Sequence, residues 1–251
     1  MKFKRIIPSL LYSNGRLWKG TNYKDFIDVG DPASQAMVFD AQGADEIQLT
    51  NIDGPKGKKI PLDLIKKINT LCRVPIAVGG GITSVEEAMN LFNAGADKII
   101  INTAAFKFPD LIKKSAEALG SQAICVAIDV RFENNQYNIY THSGTKREDI
   151  SLEEALIKFQ DLGAGEILLT SIDHEGTLKG YDLNLYRKFG SLVQVPFLVN
   201  GGCGRYQDII DLDRMNLADG YVIGKMLCLR DYDVVRIKAY LTGKQVVTRE
   251  A

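Results

Sequence analysis

The chain has 251 residues, 45% apolar and 25% charged, and its 31 Lys plus Arg balance 31 Asp plus Glu. A chain of this length buries roughly 70–75% of its unfolded surface, so a core forms without disulfides or metals. Zero net charge removes the long-range attraction that coating a nucleic acid or an anionic membrane needs, and no apolar run reaches the ~18 residues of a membrane span.

The first sixteen residues faintly resemble a signal peptide. Their apolar stretch is short, is broken by Pro8 and ends without a small-residue cleavage site, so 5–10 is read as a buried strand. Residues 12–30, with Trp18, Lys19 and several Gly and Asn, then read as a long loop of the kind that forms active-site lids. Further continuous apolar runs lie at 46–50, 76–78, 98–102, 124–129, 166–170, 197–199 and 221–223. They do not alternate with polar residues, as befits strands buried on both faces. Helical patterns fall between them at 32–42, 61–72, 84–94, 109–119, 151–162, 184–189, 206–215 and 234–241. The third begins with a Ser84 cap and an acidic first turn, Glu86 and Glu87. Eight β-α units in this length predict a (βα)8 TIM barrel. A doubly wound open sheet is the competitor, and the strand count and an internal repeat weigh against it.

The repeat has three blocks. Gly43-Ala-Asp-Glu-Ile-Gln-Leu-Thr-Asn-Ile-Asp53 matches Gly163-Ala-Gly-Glu-Ile-Leu-Leu-Thr-Ser-Ile-Asp173. Val74-Pro-Ile-Ala-Val-Gly-Gly-Gly81 matches Val195-Pro-Phe-Leu-Val-Asn-Gly-Gly202, and Ala96-Asp97 matches Ala218-Asp219. The offset stays nearly constant, so residues 1–251 read as one domain built from two (βα)4 half-barrels, about 1–120 and 121–251.

Each half has one strand ending in glycines, Gly79-Gly-Gly81 and Gly201-Gly202, and a next strand ending in Asn102-Thr103 or Gly224-Lys225. On the C-terminal rim of a barrel such bare backbone N–H groups suit anions, and two opposed sets suit a ligand with a phosphate at each end. The plainer alternative is that the glycines only permit tight turns. Asp129 ends the fifth strand and is the candidate general acid or base, against the alternative of a turn cap. Arg5, Glu46, Lys98 and Glu166 begin four strands with alternating sign, forming a charged set at the closed end that could gate an axial passage; on the residues alone ordinary solvated strand ends are the favoured reading. Two histidines, His142 and His174, and scattered cysteines, Cys72, Cys125, Cys203 and Cys228, give no metal-ligand spacing. The cysteines read as free thiols in a reducing compartment, hence a cytoplasmic protein.

Together these residues resemble the cyclase subunit of imidazole glycerol phosphate synthase along essentially the whole chain. The resemblance runs through Lys4-Arg-Ile-Ile-Pro8, Lys19-Gly-Thr-Asn22, Val78-Gly-Gly-Gly-Ile82, Gly95-Ala-Asp-Lys98, Ile101-Asn-Thr-Ala-Ala105, Val126-Ala-Ile-Asp129 and Gly176-Thr177. It implies a glutaminase partner on the N-terminal face, an ammonia gate at Arg5, Glu46, Lys98 and Glu166, and a partner contact near Asp97. It also implies a phosphorylated small-molecule ligand at Gly81, Asn102, Thr103, Gly176, Gly202, Gly224 and Lys225, catalysis by Asp129, and no metal or cofactor. A second catalytic aspartate of the family falls at Leu11, which cannot move a proton. Asn51, Glu175 and Lys225 depart from the pattern as well. Two functions follow. One is a working lyase of histidine biosynthesis with Asp53 or Asp173 compensating. The other is a diverged paralogue that conducts ammonia to a sugar-amidating enzyme of surface-polysaccharide synthesis. An unrelated phosphate-binding barrel is the third and weakest reading.

Overall fold

The computed structural model describes residues 3–250. The first half-barrel runs β1 (Arg5–Ser13), β2 (Arg16–Thr21), β3 (Lys24–Gly30), α1 (Pro32–Ala41), β4 (Ile47–Asn51), α2 (Leu62–Leu71), β5 (Ile76–Gly79), α3 (Val85–Asn93), β6 (Lys98–Ile101), α4 (Thr103–Lys107) and α5 (Asp110–Leu119). The second runs β7 (Ile124–Glu133), β8 (Gln136–Thr141), β9 (Lys146–Arg147), α6 (Leu152–Asp161), β10 (Glu166–Ser171), α7 (Leu183–Phe189), β11 (Phe197–Asn200), α8 (Tyr206–Asp213), β12 (Gly220–Ile223), α9 (Lys225–Leu229) and α10 (Val234–Gly243).

Strands β1, β4, β5, β6, β7, β10, β11 and β12 pair in parallel, and the β7–β10 and β12–β1 ladders close them into a barrel. Each strand is buried twice. Outward residues such as Ile6, Leu10, Ile47 and Val126 join the helices in one apolar core. Inward residues Ile7, Ala77, Ile100, Cys125, Ala127, Leu168, Leu198 and Val222 make a separate apolar plug inside the barrel. That double burial is why the strands read as unbroken apolar runs.

Helix starts follow local chemistry. The Asp31 side chain accepts from Ser34 N with Pro32 in the first turn, and Ser84 accepts from Glu87 N. Ser151 and Glu154 form a complete capping box on α6.

The segment 12–30 is a correction to the sequence reading. It is no irregular loop. β1 continues to Ser13 and turns at Asn14-Gly15, and β2 and β3 then form an antiparallel hairpin above the mouth. The second half repeats the device: β7 extends to Glu133, turns at Asn134-Asn135 and pairs with β8 and β9. All four turn residues have positive φ, the signature of a two-residue hairpin turn.

Candidate functional site

Successive side chains along the parallel strands alternate between the two faces, which sorts the inward residues into layers. At the N-terminal end lie Arg5, Glu46, Lys98 and Glu166. Arg5 Nη1 donates to Glu46 Oε2 at 3.2 Å and Nη2 to Glu166 Oε1 at 2.5 Å. Lys98 Nζ donates to Glu46 Oε2 at 2.7 Å and to Glu166 Oε2 at 2.9 Å. The four side chains therefore close a ring, acid alternating with base. Burial opposes the charges on Arg5 and Lys98, but Glu46 and Glu166 outweigh it and hold both cations above their ordinary values. Burial raises the Glu46 carboxyl, with Lys98 pulling the other way. Asp97 is exposed beside the ring, and its Oδ2 accepts from Ile76 N at 2.8 Å.

Above the ring lies the apolar plug, including the Cys125 thiol, which burial and the neighbouring Glu166 carboxylate push well above the ordinary thiol value. The next layer is polar. Asp129 ends the inward face of β7 and receives Asn102 Nδ2 at 3.1 Å. Burial raises its carboxyl to about 6, opposed by hydrogen bonds from the Tyr23, Asn102 and Thr170 side chains. A carboxyl titrating near neutrality can both give and take a proton.

Leu11 is half-buried on β1, in register with Thr50 and Trp18. The two carboxylates expected to compensate for it are held by other partners. Asp53 accepts from Ser13 Oγ at 2.6 Å and from Lys56 Nζ at 3.0 Å, and those partners, Ser13 first, hold its carboxyl below the ordinary range. Asp173 is exposed and accepts from Phe132 N at 2.8 Å. Asn51 is buried, and its amide clips the following loop, accepting from Asp53 N and donating to Lys58 O.

The glycine-rich strand ends are required by packing alone. A Cβ on Gly80 would stand 2.1 Å from Asn51 O, and one on Gly202 2.1 Å from Gly180 O. Both positions also have positive φ. Gly81 O accepts from Lys59 Nζ. Thr103 Oγ1 accepts from His142 N at 3.1 Å. Gly176 lies directly beneath the hairpin, where a Cβ would meet Gly20 O. Around Gly224 the structure gathers Lys19, Glu175 and Lys225. Burial raises the Glu175 carboxyl, and Lys19 and Lys225 counter it. Lys225 Nζ donates to Thr21 Oγ1 at 2.6 Å, and Lys19 Nζ donates to Ser9 O.

Tyr23 was not singled out from sequence. It sits in the β2–β3 turn and reaches across the mouth to Asp129, where burial and that carboxylate push its phenol well above the ordinary value. Asn22 ties the turn down, donating from Nδ2 to Ile172 O at 2.8 Å and Asp173 O at 2.7 Å. The only available sequence signal was Asn22 itself, a favoured residue of two-residue turns.

A barrel with a charged ring at one end and a carboxyl among amide and hydroxyl groups at the other defines a class: a TIM-barrel protein with a rim site. The profile described as "Histidine biosynthesis protein" matches residues 5–233. Relatives named imidazole glycerol phosphate synthase subunit HisF align over nearly the whole length. That of Dehalococcoides mccartyi strain CBDB1 is 38% identical over 247 residues, 98% of each chain. That of Lactiplantibacillus plantarum is 37% identical over 252 residues, 99% of this chain and 100% of its own. That of Chlorobium chlorochromatii is 38% identical over 250 residues, 99% and 100% of the two chains. The chain belongs to the histidine biosynthesis protein family, in the line of the imidazole glycerol phosphate synthase cyclase subunit.

Proposed function

We propose that this protein is the ammonia-conducting barrel subunit of a glutamine amidotransferase complex and that it has lost most of the family's ring-closing chemistry. A glutaminase docks on the N-terminal face near Asp97. Ammonia passes the ring of Arg5, Glu46, Lys98 and Glu166, crosses the apolar interior and leaves at the mouth. The single observation that carries the reading is the contrast between the two ends. The ring is complete, while Leu11 stands at a proton-transfer position with Asp53 and Asp173 committed elsewhere. Loss of one general acid or base costs about 10²–10⁴ in rate. The nitrogen then serves a separate enzyme that amidates a sugar for surface polysaccharide, with both proteins in the cytoplasm.

The second reading is a competent lyase of histidine biosynthesis that makes imidazole glycerol phosphate and aminoimidazole carboxamide ribotide. Its support is the full-length identity to the HisF relatives and the retained Asp129, Asn102 and Thr103. On that reading Gly81, Asn102, Thr103, Gly176, Gly202, Gly224 and Lys225 hold the two phosphates of the substrate.

The ammonium-dependent turnover of the purified chain on the family's bisphosphate substrate separates the two. The conduit reading expects little or none. Turnover within about tenfold of a typical 10 s⁻¹ would overturn it. Leu11→Asp should raise any residual rate by about tenfold or more, since it restores a proton-carrying group.

A further inference from the structure

The tips of the two hairpins face one another at the side of the mouth and enclose a cleft of about 420 Å³. Tyr23 and Lys24 line it from the β2–β3 turn, Ser143 and Thr145 from the β8–β9 turn, and Arg131 and Tyr140 from β7 and β8. A volume of this size suits a small ligand.

Its cations are unused. The half-buried Arg131 guanidinium lies over the Tyr140 ring, 5.0 Å from the centroid. Among the described residues neither Arg131 nor Lys24 has a carboxylate partner, and no Arg131 side-chain N–H has a protein acceptor. Stacking fixes the plane of a guanidinium and leaves its donor edges free, the arrangement that recognises a planar or tetrahedral oxyanion. The carboxylates around it have partners of their own. Asp129 is hydrogen-bonded by Tyr23, Glu133 accepts from the Tyr140 hydroxyl at 2.6 Å, and the exposed Asp173 accepts from Phe132 N at 2.8 Å.

The cleft walls are also strained. Tyr23 and Ser143 hold φ of 64° and 56°, left-handed values that ordinary side chains avoid. Tyr23 is the second residue of the two-residue turn joining Thr21 to Lys24, a position normally given to glycine. Strain of this kind persists where a side chain is needed for a ligand.

We propose that this cleft binds the oxyanion of a small ligand, a phosphate ester or a carboxylate, through Arg131 and Lys24. Its lining shares no residue with the glycine-lined rim positions, and it stands whether the chain is a conduit or a cyclase.

The test is calorimetric titration of the full chain at low salt with ribose 5-phosphate and, in parallel, gluconate. Saturable binding of either supports the site, and the tighter one identifies the anion. Arg131→Met should weaken binding at least about tenfold and Lys24→Met several-fold. Lys146→Met removes one equal charge outside the cleft and should change it less than about twofold. The proposal is overturned if neither ligand saturates by about 10 mM, or if Arg131→Met weakens binding no more than Lys146→Met does. Should Arg131→Met not fold, Lys24→Met against Lys146→Met decides on the same criterion.

Discussion

Asp129 is a charge held where charge is unfavourable. Its carboxyl titrates at about 6 against 3.8 for an ordinary aspartate, mainly through burial. The folded chain therefore holds this proton more tightly than the unfolded chain. The stability it confers is complete below about pH 4 and is lost as pH rises through about 6, a swing of about 3 kcal/mol. Asp129→Asn should accordingly raise the melting temperature at pH 7.5 by several degrees and leave it nearly unchanged at pH 4. An equal effect at both pH values would mean that the charge is not the cause. Leu11→Asp belongs at this scale too. Leu11 is only half-buried at the mouth, so the change should cost less than about 2 kcal/mol in denaturant unfolding. A loss above about 4 kcal/mol would make Leu11 core.

At the scale of elements, the hairpins divide what the sequence revealed from what it hid. The barrel strands were legible because burial on both faces leaves them mostly apolar, with few polar residues between their ends. The β2–β3 hairpin was not, because its outer strand is largely exposed and carries no alternation. The turn chemistry was nevertheless present at Asn14-Gly15, and segment length outweighed it in the reading as a loop. Tyr23 was hidden for a different reason: its partner Asp129 lies in the other half-barrel, and only the closed ring of strands brings them together. The hairpin's seat is testable. Gly176→Ala places a Cβ on Gly20 O and at a φ of 71°, so the hairpin should lift while the barrel stays closed. Trypsin cleavage after Lys24 should then accelerate at least about tenfold, whereas far-ultraviolet dichroism barely changes. Unchanged cleavage would show that Asn22 alone holds the tip.

Across the whole molecule the two ends answer to different physics. The ring could be listed from sequence, since charged residues opened four strands, but its closure depends on barrel geometry that no local pattern encodes. Glu46 and Glu166 are nearly buried, and Lys98 supplies one contact to each. Lys98→Met leaves Arg5 to neutralise both. Removing one partner of a buried charge set costs about 3–5 kcal/mol, and the loss should be smaller at pH 5 than at pH 8 because the Glu46 carboxyl, already raised by burial, takes up a proton once Lys98 is gone. Urea unfolding at the two pH values measures it. With a glutaminase present, glutamine-driven product formation should change more than ammonium-driven formation. Equal changes would mean that the ring only holds the barrel end together.

Cys125 gives the bore its own gauge. The thiol is buried just inside the ring, among the inward-facing residues of the barrel. Thiol-directed reagents of graded width, applied to the intact protein, would report the narrowest aperture they must cross, in units of reagent diameter and with no turnover required.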